Sequence, residues 1–456
     1  MLAPMTAGIV EKRSVERVPA AERTTGFWGL FMLWVGFSIS VARIWQGGVI
    51  SGAGVRNALA AVVIAQAAWI YIAIGAVMGA SEGLPGTMIM RAAFGIRGRV
   101  MTAVPLIIGT IGWFGLQLGI TASALDIIIR KTYGDWGLSL HAQYVLWAVL
   151  MGVISVYGYR VVIWFQKAVS PLLLVLVPWM IYRMFSRYDV LAEIGRPREA
   201  TMTAAEAITM LSGGVLAMLI AAADSSRYAK SRRTAFTAFM TATWFIGTVM
   251  FVIGIMGAVL VGTADPPSLV DKLGLGLAGL VIIVLAAWST NCLNPYWGGI
   301  ALSTLSTGSR RLPRGIPRSA STVIVVGLGC LTAIFGIYSY AGFMAFVNVL
   351  ASTLGPANGI IIVDYFFLRG RGTNKLDAGE LMKKGGKYWY SGGWNPVAVG
   401  CWLVGVAYSL AFQRTYILIT PVSTQILSGL LYYAAMKTVG RRHLEASVRR
   451  SEHETA

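Results

Sequence analysis

Twelve runs of predominantly apolar residues, each 16 to 29 long, divide this chain almost from end to end. They fall at 26–50, 57–79, 101–129, 144–159, 168–185, 207–223, 235–261, 275–293, 322–341, 343–367, 396–412 and 419–436. A helix needs about 20 such residues to cross bilayer hydrocarbon. Backbone groups cannot go unpaired in lipid, and the runs do not alternate apolar with polar, so they read as helices and not as barrel strands. The expectation is an all-α membrane protein with 12 transmembrane helices. Charge agrees: 12% of residues are charged, roughly half the share in a soluble domain. A charged start containing Lys12, Arg13, Arg17 and Arg23 leads into an apolar span too long for a cleavable signal peptide, and none is expected.

Lys and Arg number 38 against 19 Asp and Glu. No basic stripe with interleaved aromatics accompanies that excess, so no nucleic-acid partner is expected. Its distribution is topological instead. With the N-terminus inside, the cytoplasmic segments hold 28 basic residues and the opposite side 9, with Arg43 inside the first span. This predicts a multi-pass protein of the cell (inner or plasma) membrane with both termini cytoplasmic and basic loops attracted to anionic lipid. Cys292, Cys330 and Cys401 lie in apolar runs and are expected as buried reduced thiols.

Two spans are interrupted at matching places, the first at Gly36-Phe37-Ser38-Ile39-Ser40 and the sixth at Ser212-Gly213-Gly214. Interrupted segments in corresponding positions point to a substrate site between inverted repeats; the alternative is glycine that only lets helices pack closely. The first reading gives a five-plus-five inverted repeat with broken helices 1 and 6, plus two C-terminal helices. Its plan is a tail at 1–25, a transport core at 26–368 (repeats at 26–186 and 207–368), a basic loop at 369–395, two further helices at 396–436 and a tail at 437–456.

Enzyme motifs are absent or accidental. His141, His443 and His453 form no helical zinc pair, and no phosphate-binding GxxxxGK[ST] occurs. The GxGxxG at 274–279 heads an apolar helix with no strand before it. Asp126 and Asp364 lie near span ends, where partial solvation is expected.

Thr110, Trp113 and Gln117 share one face of the third span. An indole beside a side-chain amide suits a small planar heterocycle, which stacks on the ring while the amide donates and accepts at its edge. The alternative is an interfacial Trp in a run of packing glycines. In the eighth span, Ala286, Ser289 and Thr290 are spaced so that one carbonyl and two hydroxyls converge, and a broken first helix adds carbonyls from Gly36 and Ile39. That is a donor set for a hard monovalent cation, although the hydroxyls can also bond back to their own helix.

These residues resemble nucleobase–cation symporter family one, whose members include cytosine permease and a hydantoin transporter. The resemblance rests on Gly112-Trp113-Phe114-Gly115 with Gln117, Ile44-Trp45-Gln46-Gly47-Gly48, Trp288-Ser289-Thr290-Asn291, Ala223-Asp224-Ser225-Ser226-Arg227-Tyr228, Ile361-Ile362-Val363-Asp364-Tyr365-Phe366 and Arg91-Ala92-Ala93-Phe94-Gly95. It implies a sodium-coupled importer working by alternating access. It implies substrate contacts at Trp113, Gln117, Gly213, Gly214 and Val215, with Thr110, Ser40, Asn291 and Asn294 as further candidates. It also implies a sodium site of Gly36, Ile39, Ala286, Ser289 and Thr290. Two departures stand out: Val215 where relatives place a second aromatic, and Thr110 where cytosine permease-like members carry Gln.

The expected function is therefore import of a small planar nitrogen heterocycle (a nucleobase such as cytosine or a purine, or a hydantoin- or allantoin-like compound) by cation symport, with no cofactor and no enzyme activity, by a monomer. A proton-coupled symporter and a channel are the alternatives. Arg43 has two readings: snorkelling to the headgroups, or facing a water-filled vestibule where it disfavours cationic substrates.

Overall fold

The computed structural model describes residues 15–134, 137–307, 315–337, 339–369, 372–412 and 419–438. The expected tails outside these bounds, with His443 and His453, lie outside the described residues. So do parts of the loops after the eighth, tenth and eleventh spans.

The described chain is helical. The first predicted span is a pair, α1 (Phe27–Ser38) and α2 (Val41–Ile50), meeting at an angle of 46°. Then follow α3 (Val55–Glu82), α4 (Val100–Tyr133), α5 (Leu140–Tyr157) and α6 (Tyr159–Arg187). The sixth predicted span comprises α7 (Ala204–Gly214) and α8 (Met218–Ser226), separated by an irregular turn at 215–217. Next come α9 (Arg232–Val261), α10 (Gly276–Ser306), α11 (Arg318–Ile334), α12 (Tyr340–Val363), α13 (Pro396–Phe412) and α14 (Thr420–Thr438). Among the described residues eight helices are long and apolar enough to cross a membrane, and the α1–α2 pair makes a ninth. Helices α11 and α13, at 17 residues, are shorter. Exposed apolar side chains such as Val63, Val149, Val175 and Leu430 cover outward helix faces, as contact with lipid requires.

Small residues let the central helices meet backbone to backbone. A Cβ at Gly75 or Gly79 of α3 would collide with the carbonyls of Leu219 and Ala223, so α8 lies directly on α3. The interruptions leave polar backbone that neighbours satisfy. In the 215–217 turn, the Leu216 carbonyl accepts a hydrogen bond from Asn358 Nδ2 on α12 at 2.9 Å. In α9 a π turn covers Thr241–Ile246. Its Trp244 carbonyl accepts from Gln66 Nε2 at 2.8 Å, and its Thr243 carbonyl accepts from Arg43.

Three sequence expectations are corrected here. The eighth helix does not stop near 293 but, interrupted only at Cys292, runs on to Ser306. Pro295 sits in the first turn of the continuing half, where a missing N–H is tolerated. The fifth begins at Tyr159 and not at 168, so Arg160 and Lys167 are helical. Asp364 is not partly solvated: it is buried, paired with Arg369 at 2.5 Å and accepting from Tyr432 Oη at 2.9 Å. Tyr390 extends this network outside the helices. Burial pushes its hydroxyl up to about 12, so it stays protonated and donates to the Ala92 carbonyl at 2.6 Å. Asp126, by contrast, is 39% exposed beside Arg130. The three cysteines are buried and free.

Candidate functional site

A cavity opens where α1 stops at Ile39 and α7 stops at Gly214. Its empty space, mouth and open solvent included, is about 620 Å³. Of the sequence candidates, Ser40, Thr110, Trp113, Gln117, Gly214, Val215, Thr290 and Asn294 line it.

Trp113 is half-buried. Phe343 and Phe346 meet it edge-on at 5.5 and 5.8 Å and fix the indole plane. Gly214 lies against its far edge, where a Cβ would stand 3.3 Å from Cζ2 of the ring. One helical turn further, Gln117 donates through Nε2 to Asn291 Oδ1 at 3.3 Å. Its Oε1 is buried without a partner among the described residues, so the amide presents an unused acceptor four residues from the ring. Thr110 contributes less chemistry, because its hydroxyl donates to the Ile107 carbonyl of its own helix at 2.9 Å.

Two candidates do not reach the cavity wall. Gly213 faces α12, where a Cβ would meet Val347 at 3.0 Å. Asn291 is fully buried behind the cavity. It donates to the Phe114 carbonyl at 3.0 Å and accepts from Gln117 and, at 2.9 Å, from Asn294. It orients two lining amides without joining the lining.

The cation candidates meet beside the cavity. The Gly36 carbonyl accepts from Ser289 Oγ at 3.1 Å and from Thr290 Oγ1 at 3.2 Å, and Thr290 also donates to the Ala286 carbonyl at 3.1 Å. Ile39 is fully buried and caps α1, and no hydrogen bond joins it to this cluster among the described residues. Sequence reasoning missed a further member, Gln166 of α6. Its Nε2 donates to the Ser289 carbonyl at 2.6 Å and its Oε1 accepts from Ser289 Oγ at 2.5 Å. A hydroxyl has one proton, yet each of these two faces two acceptors. The cluster holds more oxygen lone pairs than protons, which is the imbalance a bound cation relieves.

Arg43 does not snorkel outward. It is 4% exposed and lines the cavity. Its guanidinium carbon stands 4.5 Å from the Trp69 ring centroid, 5.4 Å from Phe37 and 5.6 Å from Phe251. Nη1 donates to the Thr243 carbonyl at 3.3 Å. Gly247 clears the space, since a Cβ there would collide with Nη1. Burying an arginine at mid-membrane costs at least about 2.5 kcal/mol, and desolvated cation–π contact returns about 2 kcal/mol. Gln46, Phe37, Trp69, Phe251 and Trp297 also line the cavity without having been singled out as contacts from sequence. The aromatics carried no signal separating them from ordinary core residues.

A bundle of apolar helices interrupted around one internal, polar-edged cavity is the architecture of a membrane transporter. The sequence profile of permeases for cytosine/purines, uracil, thiamine and allantoin matches residues 17–434. The chain belongs to that family, the nucleobase–cation symporters its motifs resemble. It is 29% identical to the hydantoin permease of Microbacterium maritypicum, over 92% of this chain and 88% of that one. It is 24% identical to the cytosine permease of Escherichia coli K12, over 78% and 81% of the two chains. Among solved structures it is similar to Mhp1, a nucleobase-cation-symport-1 family transporter in a closed conformation with bromovinylhydantoin bound. That likeness has a TM-score of 0.80 at 25% identity and covers 96% of this chain and 97% of that one.

Proposed function

We propose that this chain imports a small planar nitrogen heterocycle, of the nucleobase, hydantoin or allantoin kind, in symport with sodium. The observation that carries this reading is the pairing of a braced indole, Trp113, with the unused acceptor of Gln117 inside one cavity. A flat ring stacks on the indole, and a ring N–H satisfies Gln117 Oε1. Relatives named for hydantoin, cytosine and allantoin support this substrate class.

In this reading the chain has 12 spans, with a five-plus-five repeat at 26–186 and 207–368, two added helices and cytoplasmic termini. Sodium takes the surplus oxygens of Gly36, Ile39, Ala286, Ser289 and Thr290. The α1 break contributes to both sites, through Gly36 to the cation and through Ser40 to the cavity. A cation that orders the break therefore favours substrate binding, and by linkage the substrate favours the cation equally. Sodium fits better than a proton because the hydroxyls, carbonyls and Gln166 amide of the cluster include no group that titrates near neutrality.

The test is uptake of labelled hydantoin, allantoin, cytosine, uracil and hypoxanthine into proteoliposomes, with a sodium gradient, with a proton gradient and with neither. Accumulation of at least one compound only under the sodium gradient is expected. Accumulation driven by protons alone would replace sodium in this reading, and transport of none would remove the heterocycle assignment.

A further inference from the structure

Resting on the transport reading above, we propose that the substrate carries one negative charge at neutral pH, and that Arg43 is the group that recognises it. Charge bookkeeping in the cavity carries the inference. Arg43 is the single charged residue among those lining the cavity, and no carboxylate accompanies it. Among the described residues its only polar partner is a neutral carbonyl, that of Thr243. Its Nη2 is buried with no hydrogen-bond partner among the described residues. The groups packed around it are the rings of Phe37, Trp69 and Phe251, from three different helices.

Three other arginines held away from solvent are finished differently. Arg369 is paired with Asp364 and donates to Tyr390, Arg91 donates to the carbonyls of Leu381 and Thr304, and Arg318 to those of Ser155 and Val156. These three guanidinium groups thus receive a carboxylate or two carbonyls, and Arg43 receives one carbonyl. An aromatic surround holds the guanidinium in place by its ring faces while leaving the N–H donors unspent. A carboxylate, or a ring nitrogen that has lost its proton, offers the complementary acceptor and charge. Trp113 and Gln117 line the same cavity, so a ligand stacked on the indole has Arg43 within its enclosure.

Matched pairs test this with the intact protein. Equilibrium binding of labelled uracil against orotate, and of hydantoin against hydantoin-5-acetate, compares ligands differing mainly in one carboxylate. Wild type is expected to bind the carboxylate member of at least one pair at least tenfold more tightly. Arg43→Gln is expected to abolish or invert that preference, and Arg43→Lys to keep part of it, with monodispersity and melting temperature as folding controls. The wild-type comparison needs no variant. Equal or tighter binding of both neutral members overturns the inference while leaving the transporter reading intact. A carboxylate preference that survives in folded Arg43→Gln also overturns it. So does binding of the neutral members that requires chloride, because an inorganic anion then satisfies Arg43. Binding of no member of either pair, with no heterocycle transported, removes both readings together.

Discussion

The cavity and the oxygen cluster beside it share the break in the first helix, yet they are finished in opposite ways. In the cavity, polar atoms are left over: Gln117 Oε1 and Arg43 Nη2 have no partner among the described residues. In the cluster, Ser289 and Thr290 each donate toward carbonyls, and Gln166 closes the set with two bonds to Ser289. A ligand entering the cavity adds bonds that do not yet exist. A cation entering the cluster exchanges bonds, turning hydroxyl protons outward to expose lone pairs. The first site can select strongly on ligand chemistry, because unmet buried groups are costly. Under the sodium proposal, the second would bind weakly alone and gain from whatever orders Gly36, which would couple the two sites.

The sharpest way to break this comparison is to remove the platform. Trp113→Ala deletes the stacking surface, worth roughly 1–3 kcal/mol per aromatic ring. A ten- to hundredfold loss of substrate affinity is expected, with cation binding in the absence of substrate unchanged. Equilibrium binding of the transported heterocycle measures it; affinity at the wild-type level would show that the ring stacks elsewhere.

Thr290→Ala attacks the other side. It removes a hydroxyl that touches both Gly36 and Ala286. Half-saturating sodium for uptake is expected to rise by about tenfold, the scale of one hydrogen bond to a charged group. Substrate affinity measured without sodium should stay within about twofold, because the change is to the cation donors. Thr290 also lines the cavity, so an equal loss in both measurements would merge the two sites into one.

Gln166 sharpens the comparison by asking whether it belongs to the cation or only seals the cluster. Its Nε2 is anchored on the Ser289 carbonyl at 2.6 Å, which holds Oε1 toward the cation donors. Gln166→Leu keeps the volume but removes that acceptor. Half-saturating sodium is then expected to rise by about fivefold, as for one neutral hydrogen bond. Uptake that becomes easier to saturate would mark Gln166 as a plug.

Much of this arrangement was legible in the sequence, and what escaped did so for specific reasons. Both helix interruptions were marked by glycine and serine in apolar runs, and the Thr110, Trp113 and Gln117 face followed from helical spacing alone. Gly213 and Gly214 could not be told apart, since adjacent helical residues point about 100° apart and both are glycine. Asn291 stood as a candidate through the Trp288-Ser289-Thr290-Asn291 block, but its partners are Phe114, Gln117 and Asn294. Gln166 was lost through a boundary: Arg160 and Lys167 suggested a loop, whereas α6 already runs from Tyr159. Arg43 was visible as an anomaly, but its aromatic surround comes from three different helices, the last more than 200 residues on, which spacing along one run does not reveal.

Asn291 gives the smallest expected effect and the most discriminating test of how the cavity is built. It touches no ligand space, yet it accepts from Gln117 Nε2 and so fixes which way that amide points. Gln117 Oε1 keeps its place as the unused acceptor only while Nε2 is held by Asn291. In Asn291→Ala the amide is free to rotate, and substrate affinity should fall by about threefold, part of one neutral hydrogen bond. The loss of the bond to the Phe114 carbonyl also lowers stability by about 1–3 kcal/mol, so a melting curve is needed to separate folding from recognition. A double-mutant cycle makes the separation cleanly. If Asn291 acts through Gln117, the affinity cost of Asn291→Ala should vanish in a Gln117→Ala background, while its effect on melting temperature persists. Costs that simply add would mean that Asn291 reaches the substrate by another route, with Asn294, its other cavity-lining partner, the next residue to vary.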